Sequence, residues 1–584
     1  MGLFYIDPVQ FLDNLLIIKE IQKMNPSSVL DSTSLILLLA FSVSVLGLFV
    51  FIWSMSNGFF NTKESGSHII FEKNEIGLVE DPAADQHNKE LQQASGDTDA
   101  SLSAAELKDR QIADNSSAKP AFICLLASMF WLIIGSAAAI ISSIKLHNPD
   151  WLVDSAWLTF GRLRTIHLNS VVYGWASMAG IGVSLWLVPR LLKTPLVGAK
   201  FVYWGAIIWH LALMCGVTAI GLGYTDGMEW LEMPWEIDVF IVIGGALMGL
   251  PLFLTLANRK VDHLYVSVWY IGAALIWFPI LFFVANIPSL HFGVQGAAMN
   301  WWYGHNALGL WFTPIGLGAA YYFIPKVLGR PIYSYNLSLL GFWCLAFFYS
   351  QVGGHHLIGG PLPTWMVTLS IVQSVMMVIP VLAVAVNHHM TVGGNFKAVL
   401  HSPTLRFIVL GSMLYVAASV QGSMEALRSV NVITHFTHYT VAHAHLGMYG
   451  FFTMVMFGSI YFIMPRIVGW EWPHAWMISA HFWLATIGFA VYFIGLSIGG
   501  WLQGEYMLDA AKPFIDSVIV TLPYLKLRSV GGGLMVLGHI IFVVHFILIS
   551  LRYGHKKDPS LLIPKVNIPF IKDAKIASEE LKVE

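Results

Sequence analysis

Runs of apolar residues recur along this 584-residue chain, separated for the most part by short polar loops. As helices these runs are long enough to cross about 30 Å of hydrocarbon. The first falls at about 33–53, "TSLILLLAFSVSVLGLFVFIW". Twelve more fall at about 121–142, 166–188, 201–222, 238–257, 267–287, 302–324, 337–356, 364–387, 405–424, 440–464, 476–497 and 533–551. A polar stretch, 61–118, separates the first run from the rest. It is rich in Asp, Glu, Ser, Ala and Gln and predicts a disordered linker, in which "SAAELKDRQIA" forms at most a transient helix. The pattern predicts an all-α polytopic membrane protein with a twelve-helix core over 119–555. An N-terminal segment, 1–60, adds one spanning helix, and 556–584 form a cytoplasmic tail.

Composition agrees with this reading. The chain is 56 % hydrophobic and 11 % charged, against about 25 % charged for a soluble protein. Its 32 basic and 34 acidic residues leave a net charge of −2, which gives no electrostatic case for nucleic acid as a partner. The partner that the composition demands is a lipid bilayer. No cleavable signal is expected, because the first apolar run comes late and lacks a small-residue cleavage site.

Loop charge sets the orientation. Alternate loops carry the cations: Arg190, Lys193 and Lys200; Arg259 and Lys260; Lys326 and Arg330; Lys397 and Arg406; Arg466; Arg552, Lys556 and Lys557. The intervening loops "GYTDGMEWLEMPWEID", "ANIPSLHFGVQGAAMN" and "HHLIGGPLPTW" have no Lys or Arg. The first set should face the cytoplasm, together with 61–118. Cys124, Cys215 and Cys344 stand alone in apolar segments, and no C-x-x-C-H is present. A c-type haem, an iron–sulfur cluster and a disulfide framework are all excluded on that basis.

Histidine is where the chemistry concentrates. Of 22 His, several (His68, His87, His147, His263, His388, His389, His401, His474 and His555) fall in loops or at helix ends, where solvation suffices. His210, His481, His539 and His545 lie deeper and suit hydrogen-bonded packing. Six others stand out by spacing. His443 and His445 are two apart, so on a helix they point about 200° apart, to nearly opposite faces. One helix could thus serve two centres, although a pair of interfacial histidines would look the same. His355 and His356 are adjacent, about 100° apart, and flanked by Gly353, Gly354, Gly359 and Gly360. His305 and His167 each sit in another span. By the loop assignment all six lie near the outer ends of four helices, which suggests a cluster of metal centres. Imidazole suits copper, iron and zinc, and histidines on facing helices can hold haem.

The motifs "FGRLRTIHLNSV", "GYTDGMEWLEMPWEIDV", "WWYGHNALG", "PKVLGRPIYSYNLSLLGFW", Y-x5-HH, "RSVNVITHFTHYTVAHAH" and "HFWLATIGFAVYF" resemble, collinearly over roughly 120–555, the catalytic subunit of cbb3-type haem–copper cytochrome c oxidases. The resemblance implies a twelve-helix oxidase bundle that reduces O2 to water and translocates protons. It implies His167 and His445 as axial ligands of a low-spin haem b, and His443 as the ligand of a high-spin haem of b type. His305, His355 and His356 would hold one copper ion. Tyr349 would be catalytic and cross-linked to His305, and Ser338, Tyr415 and Tyr349 would mark a proton path from the cytoplasm. Glu229 and Glu232 match a pair near the haem propionates and a calcium ion. Implied partners are membrane-anchored c-type cytochrome subunits, with cytochrome c as donor, in a bacterial inner membrane.

The chain departs from the family at Gln421, where Glu is frequent, with Glu425 one turn later, and at Gly341, where His is frequent. Residues 30–80 resemble the small one-helix protein implicated in maturation of these oxidases. The nearest alternative is nitric oxide reductase, a relative that has Glu at the position of Gly309 and lacks a tyrosine like Tyr349. A rival of another class is a transporter with a histidine proton relay, which expects no haem.

Overall fold

The computed structural model describes residues 104–288 and 290–556, the pieces 63–71, 75–77 and 81–84, and scattered positions between 42 and 57. The expected first spanning helix and the C-terminal tail lie largely outside the described residues.

Among the described residues twelve helices are long and apolar enough to cross a membrane. They are α1 (Ala104–Lys145), α2 (Phe160–Leu191), α3 (Ala199–Leu222), α4 (Trp235–Ala257), α5 (Val266–Ala285) and α6 (Gly293–Leu328). There follow α7 (Tyr335–Leu357), α8 (Thr364–Val392), α9 (Pro403–Glu425), α10 (His438–Val468), α11 (Ala475–Leu508) and α12 (Phe514–Ser550). Each corresponds to one predicted span.

Three helices form the centre. The apolar windows of α2, α6 and α10 are 94, 89 and 89 % buried, against 39–50 % for the other nine. A helix that is apolar all round belongs inside a bundle. Each of the three carries histidine toward one end and a buried or half-buried cation at the other: His167 and Arg190, His305 and Lys326, His445 and Arg466. That polarity is the one the loop charges predict. The outer helices pack closely through small residues. A Cβ on Gly488 of α11 would stand 2.7 Å from the Gly531 carbonyl oxygen of α12.

Two expectations about 61–118 need correction. Residues 104–118 are no transient helix; they are the first turns of α1. Arg110 and Asp114 there are held by Glu75 at 2.8 Å and Arg190 at 2.6 Å. Part of the supposed disordered linker also packs on the core. Asp81 is 2 % exposed. It accepts from Ser402 Oγ, from Thr404 Oγ1 at 2.8 Å and from the Thr404 N–H at 3.1 Å. It thereby satisfies donors at the start of α9, where a negative charge is also favoured by the helix dipole. Glu75 reaches Lys326 as well as Arg110. The Gly77 N–H donates to the Gly329 carbonyl at 2.7 Å. Composition alone signalled disorder; specific charge pairing and helix capping overcome it.

Candidate active site

The halves of α2, α6, α7, α9 and α10 on the histidine side enclose a cavity of about 520 Å³. All six singled-out histidines line it, with Tyr349, Tyr415 and Glu229. Ser338 and Glu232 do not.

The backbone is irregular where these histidines sit. π-helical turns follow at once or nearly so on His167 (Ser170–Ala176), His305 (Leu308–Phe312) and His445 (Leu446–Thr453). His355 and His356 lie in a 3₁₀ segment, Tyr349–Leu357. Such turns rotate side chains off the regular register and occur frequently at functional sites.

His167 and His445 face each other with rings 6.3 Å apart at 7°. Two bonds of about 2 Å from ring nitrogens to one central metal, plus the distance from nitrogen to ring centre on each side, give a similar span. Nδ1 of His167 is 2.9 Å from the Gly135 carbonyl oxygen, and Nδ1 of His445 is 2.8 Å from that of Val441. A carbonyl can only accept, so both Nδ1 atoms carry the proton and both Nε2 atoms are left as electron-pair donors. Tyr492 Oη lies 3.2 Å from His445 Nε2 and would give way to a metal. The pair fits an iron between two imidazoles.

His305, His355 and His356 offer ligand nitrogens all within 4.8 Å of one another. His355 Nδ1 contacts Ser374 Oγ at 2.9 Å. The His356 ring stacks on Trp301 at 4.0 Å and 10°. His305 Nδ1 is buried with no hydrogen-bond partner among the described residues. Three convergent imidazoles, one with an orphaned nitrogen, fit a copper-type ion.

His443 lies against α9. A Cβ on Gly422 would come within 2.8 Å of its ring. Its Nδ1 is 3.9 Å from Glu425 Oε1. The departure at Gln421 therefore leaves a carboxylate beside His443, supplied by Glu425.

Tyr349 packs against His305, with ring centroids 5.1 Å apart. A Cβ built on Gly309 would overlap the Tyr349 ring. Ser338 is buried and donates to the Tyr335 carbonyl at 2.5 Å. Tyr270, which the sequence did not single out, has a buried hydroxyl with no partner among the described residues. It lies 3.4 Å from where a Cβ on Gly341 would be.

Glu229 pairs with Arg164 at 2.6 Å. Glu232 accepts from Asn169 at 2.9 Å, and burial pushes its carboxyl up to about 7. Among the remaining histidines, His388 is a correction: expected to be solvated, it is 2 % exposed and bonded to Ser412 at 2.9 Å. The deeper ones are hydrogen-bonded within the bundle, as His210 is to Trp131 and His539 to Ser136 and Tyr449.

Comparison with known proteins gives the family. Residues 119–534 match the family described as cytochrome c and quinol oxidase polypeptide I. The chain belongs to that family and is a multi-pass haem–copper oxidase subunit. It is 34 % identical over 436 residues to a cbb3-type cytochrome c oxidase subunit of Stutzerimonas stutzeri, covering 71 % of this chain and 91 % of that protein. It is 33 % identical to cytochrome c oxidase subunit 1 of Rhodobacter capsulatus, covering 71 and 82 %. Similarity to a nitric oxide reductase of Stutzerimonas stutzeri is lower, 24 % over 74 % of this chain and 94 % of that one. A haem–copper terminal oxidase dimer solved by cryo-EM shares the fold, with TM-score 0.65 at 15 % identity over 79 % of this chain and 90 % of that chain. The oxidase reading thus stands ahead of the reductase reading.

Proposed function

We propose that this chain is the catalytic subunit of a proton-translocating terminal oxidase in a bacterial inner membrane. It takes electrons from cytochrome c through membrane-anchored c-type cytochrome subunits and reduces O2 to water. The observation that carries this is the grouping of three convergent imidazoles, a stacked imidazole pair and Tyr349 in one cavity.

His167 and His445 would hold a low-spin haem b, His443 a second haem of b type, and His305, His355 and His356 one copper ion. When bound, these groups supply electron storage and the O2 chemistry. The protein's part is to orient and to move protons. The Gly135 and Val441 carbonyls fix two imidazoles in one tautomer. Trp301 and Ser374 fix two more. Arg164 and Arg528, which line the cavity, suit the carboxylates of a haem. A calcium ion would draw on Glu229 and Glu232.

Tyr349 holds a transferable proton on its Oη inside the cavity. Ser338, Tyr415 and the orphaned hydroxyl of Tyr270 are candidates for carrying protons toward it from the cytoplasmic side. The reading is tested by a reduced-minus-oxidised spectrum, metal analysis and O2 and NO consumption by the purified complex. Two b-type signals, one copper and O2 turnover exceeding NO turnover are expected; NO turnover in excess of O2 turnover would overturn it.

Tyr349→Phe keeps the ring but removes the proton and the oxidisable phenol. Both haem signals should survive, with O2 turnover down by about 10² or more, in the range for loss of a positioned proton donor. Peptide mass spectrometry of the unmodified protein should find His305 and Tyr349 on one joined fragment. Gly309→Ala tests the same residue through packing. The added methyl must push the ring aside, and misplacement by about 1 Å costs on the order of a hundredfold. Unchanged turnover with normal metal content would show that the position of the ring is not critical.

A further inference from the structure

The cytoplasmic ends of α1, α2 and α6 meet the docked piece 63–71 around a second cavity of about 60 Å³, and the piece 75–77 packs beside it. Ile69 and Ile70 of the segment form one wall; Arg110, Arg190, Tyr322 and Lys326 contribute the others. The three cationic side chains are 6, 7 and 2 % exposed. Among the described residues, two carboxylates neutralise them. Glu75 is shared between Arg110 and Lys326, and Asp114 holds Arg190. With all three protonated, one positive charge is left in surplus among the described residues. Lys193 and Asp109, of opposite formal charge, also line the cavity.

The guanidinium geometry points the same way. Arg110 uses Nη1 on Glu75. Arg190 uses Nη1 on Asp114 and Nε on Tyr322 Oη, at 2.6 and 2.9 Å. Nη2 of each is buried without a partner among the described residues. A buried charged donor left unbonded is costly. Water could accept these hydrogen bonds but would leave the surplus charge; an anion answers both. A single water needs about 10–15 Å³ of such space, so the cavity has room for several waters or one tetrahedral oxyanion. Asp114 Oδ1 is also buried without a partner among the described residues, but Asp114 is not part of the lining.

We propose that this cavity is a binding site for a phosphate group, built jointly by the docked segment and the core. Nη2 of Arg110 and of Arg190 donate to it, and Lys326 supplies a point charge. The group is either inorganic phosphate from the cytoplasm or the headgroup phosphate of a lipid at the same depth.

The test uses the purified full-length chain in its oxidase complex. Equilibrium dialysis against radiolabelled inorganic phosphate, at constant ionic strength, is run before and after exhaustive delipidation, with mass spectrometry of retained lipids. One saturable phosphate per chain before delipidation identifies the free ion. One retained phospholipid, with phosphate binding appearing only after its removal, identifies the lipid. Arg110→Gln should weaken binding about tenfold, by loss of a charged donor. Glu75→Gln and Asp114→Asn each remove a competing negative charge and should tighten binding by roughly tenfold. Asp114→Asn leaves the contacts of the docked segment in place, so its effect is independent of docking. Absence of stoichiometric phosphate from either source, or weaker binding in Asp114→Asn, overturns the proposal.

Discussion

His356→Ala should give a folded membrane protein with the low-spin haem signal intact, little copper and no measurable O2 reduction. His356 is one of three imidazoles whose nitrogens converge within 4.8 Å, so its loss leaves two ligands. Removing even a residue that only orients a ligand typically lowers metal affinity by about 10–100-fold, and removing a ligand should exceed that. Trp301, stacked at 4.0 Å, would face a void in place of the ring, and alanine cannot restore the lost donor. O2 turnover should fall by at least about a thousandfold. The control is His388→Ala, which removes a buried histidine bonded to Ser412, away from the cavity; copper should stay. Normal copper content and turnover in His356→Ala would dismiss the three-histidine site.

The second large effect is expected at the stacked pair. With His167 or His445 replaced by alanine, a haem iron held between them would lose one of its two imidazole ligands. The reduced low-spin band should vanish in either variant, and turnover should fall with it, since that haem is the proposed entry point for electrons. Carbonyl acceptors at Gly135 and Val441 would remain, now without rings to orient. Persistence of the band in both variants would mean that other residues hold the haem. Survival of the band in one alone would leave that residue without its assigned role.

Much of the arrangement is legible in the amino-acid sequence. Length of apolar runs fixes the twelve spans, because hydrocarbon thickness sets one length for all of them. Loop cations fix which ends share a side. The offset of about 200° between His443 and His445 allowed two centres on one helix, and the family resemblance, not the offset, implied which residues share each centre. What stayed hidden depends on contacts between distant segments. Trp301 under His356, Gly422 against His443 and the buried hydroxyl of Tyr270 have no local pattern. The π-helical turns after His167, His305 and His445 were not read from the sequence either. The docked segment was misread because disorder is inferred from composition, whereas Glu75 and Asp81 act through single ion pairs and caps. His388 was misread because a helix end in sequence need not be an exposed end in the fold.

The overlap between a Cβ at position 309 and the ring of Tyr349 also bears on how such a chain can change its chemistry over time. The two positions are forty residues apart, yet they occupy one volume. A side chain acquired at 309 must displace the aromatic ring, and losing the ring first removes the phenol while the space stands empty. Neither order passes through an intermediate that keeps both the packing and the proton donor. The two positions are therefore coupled, so that a change at either one alters what the other can hold.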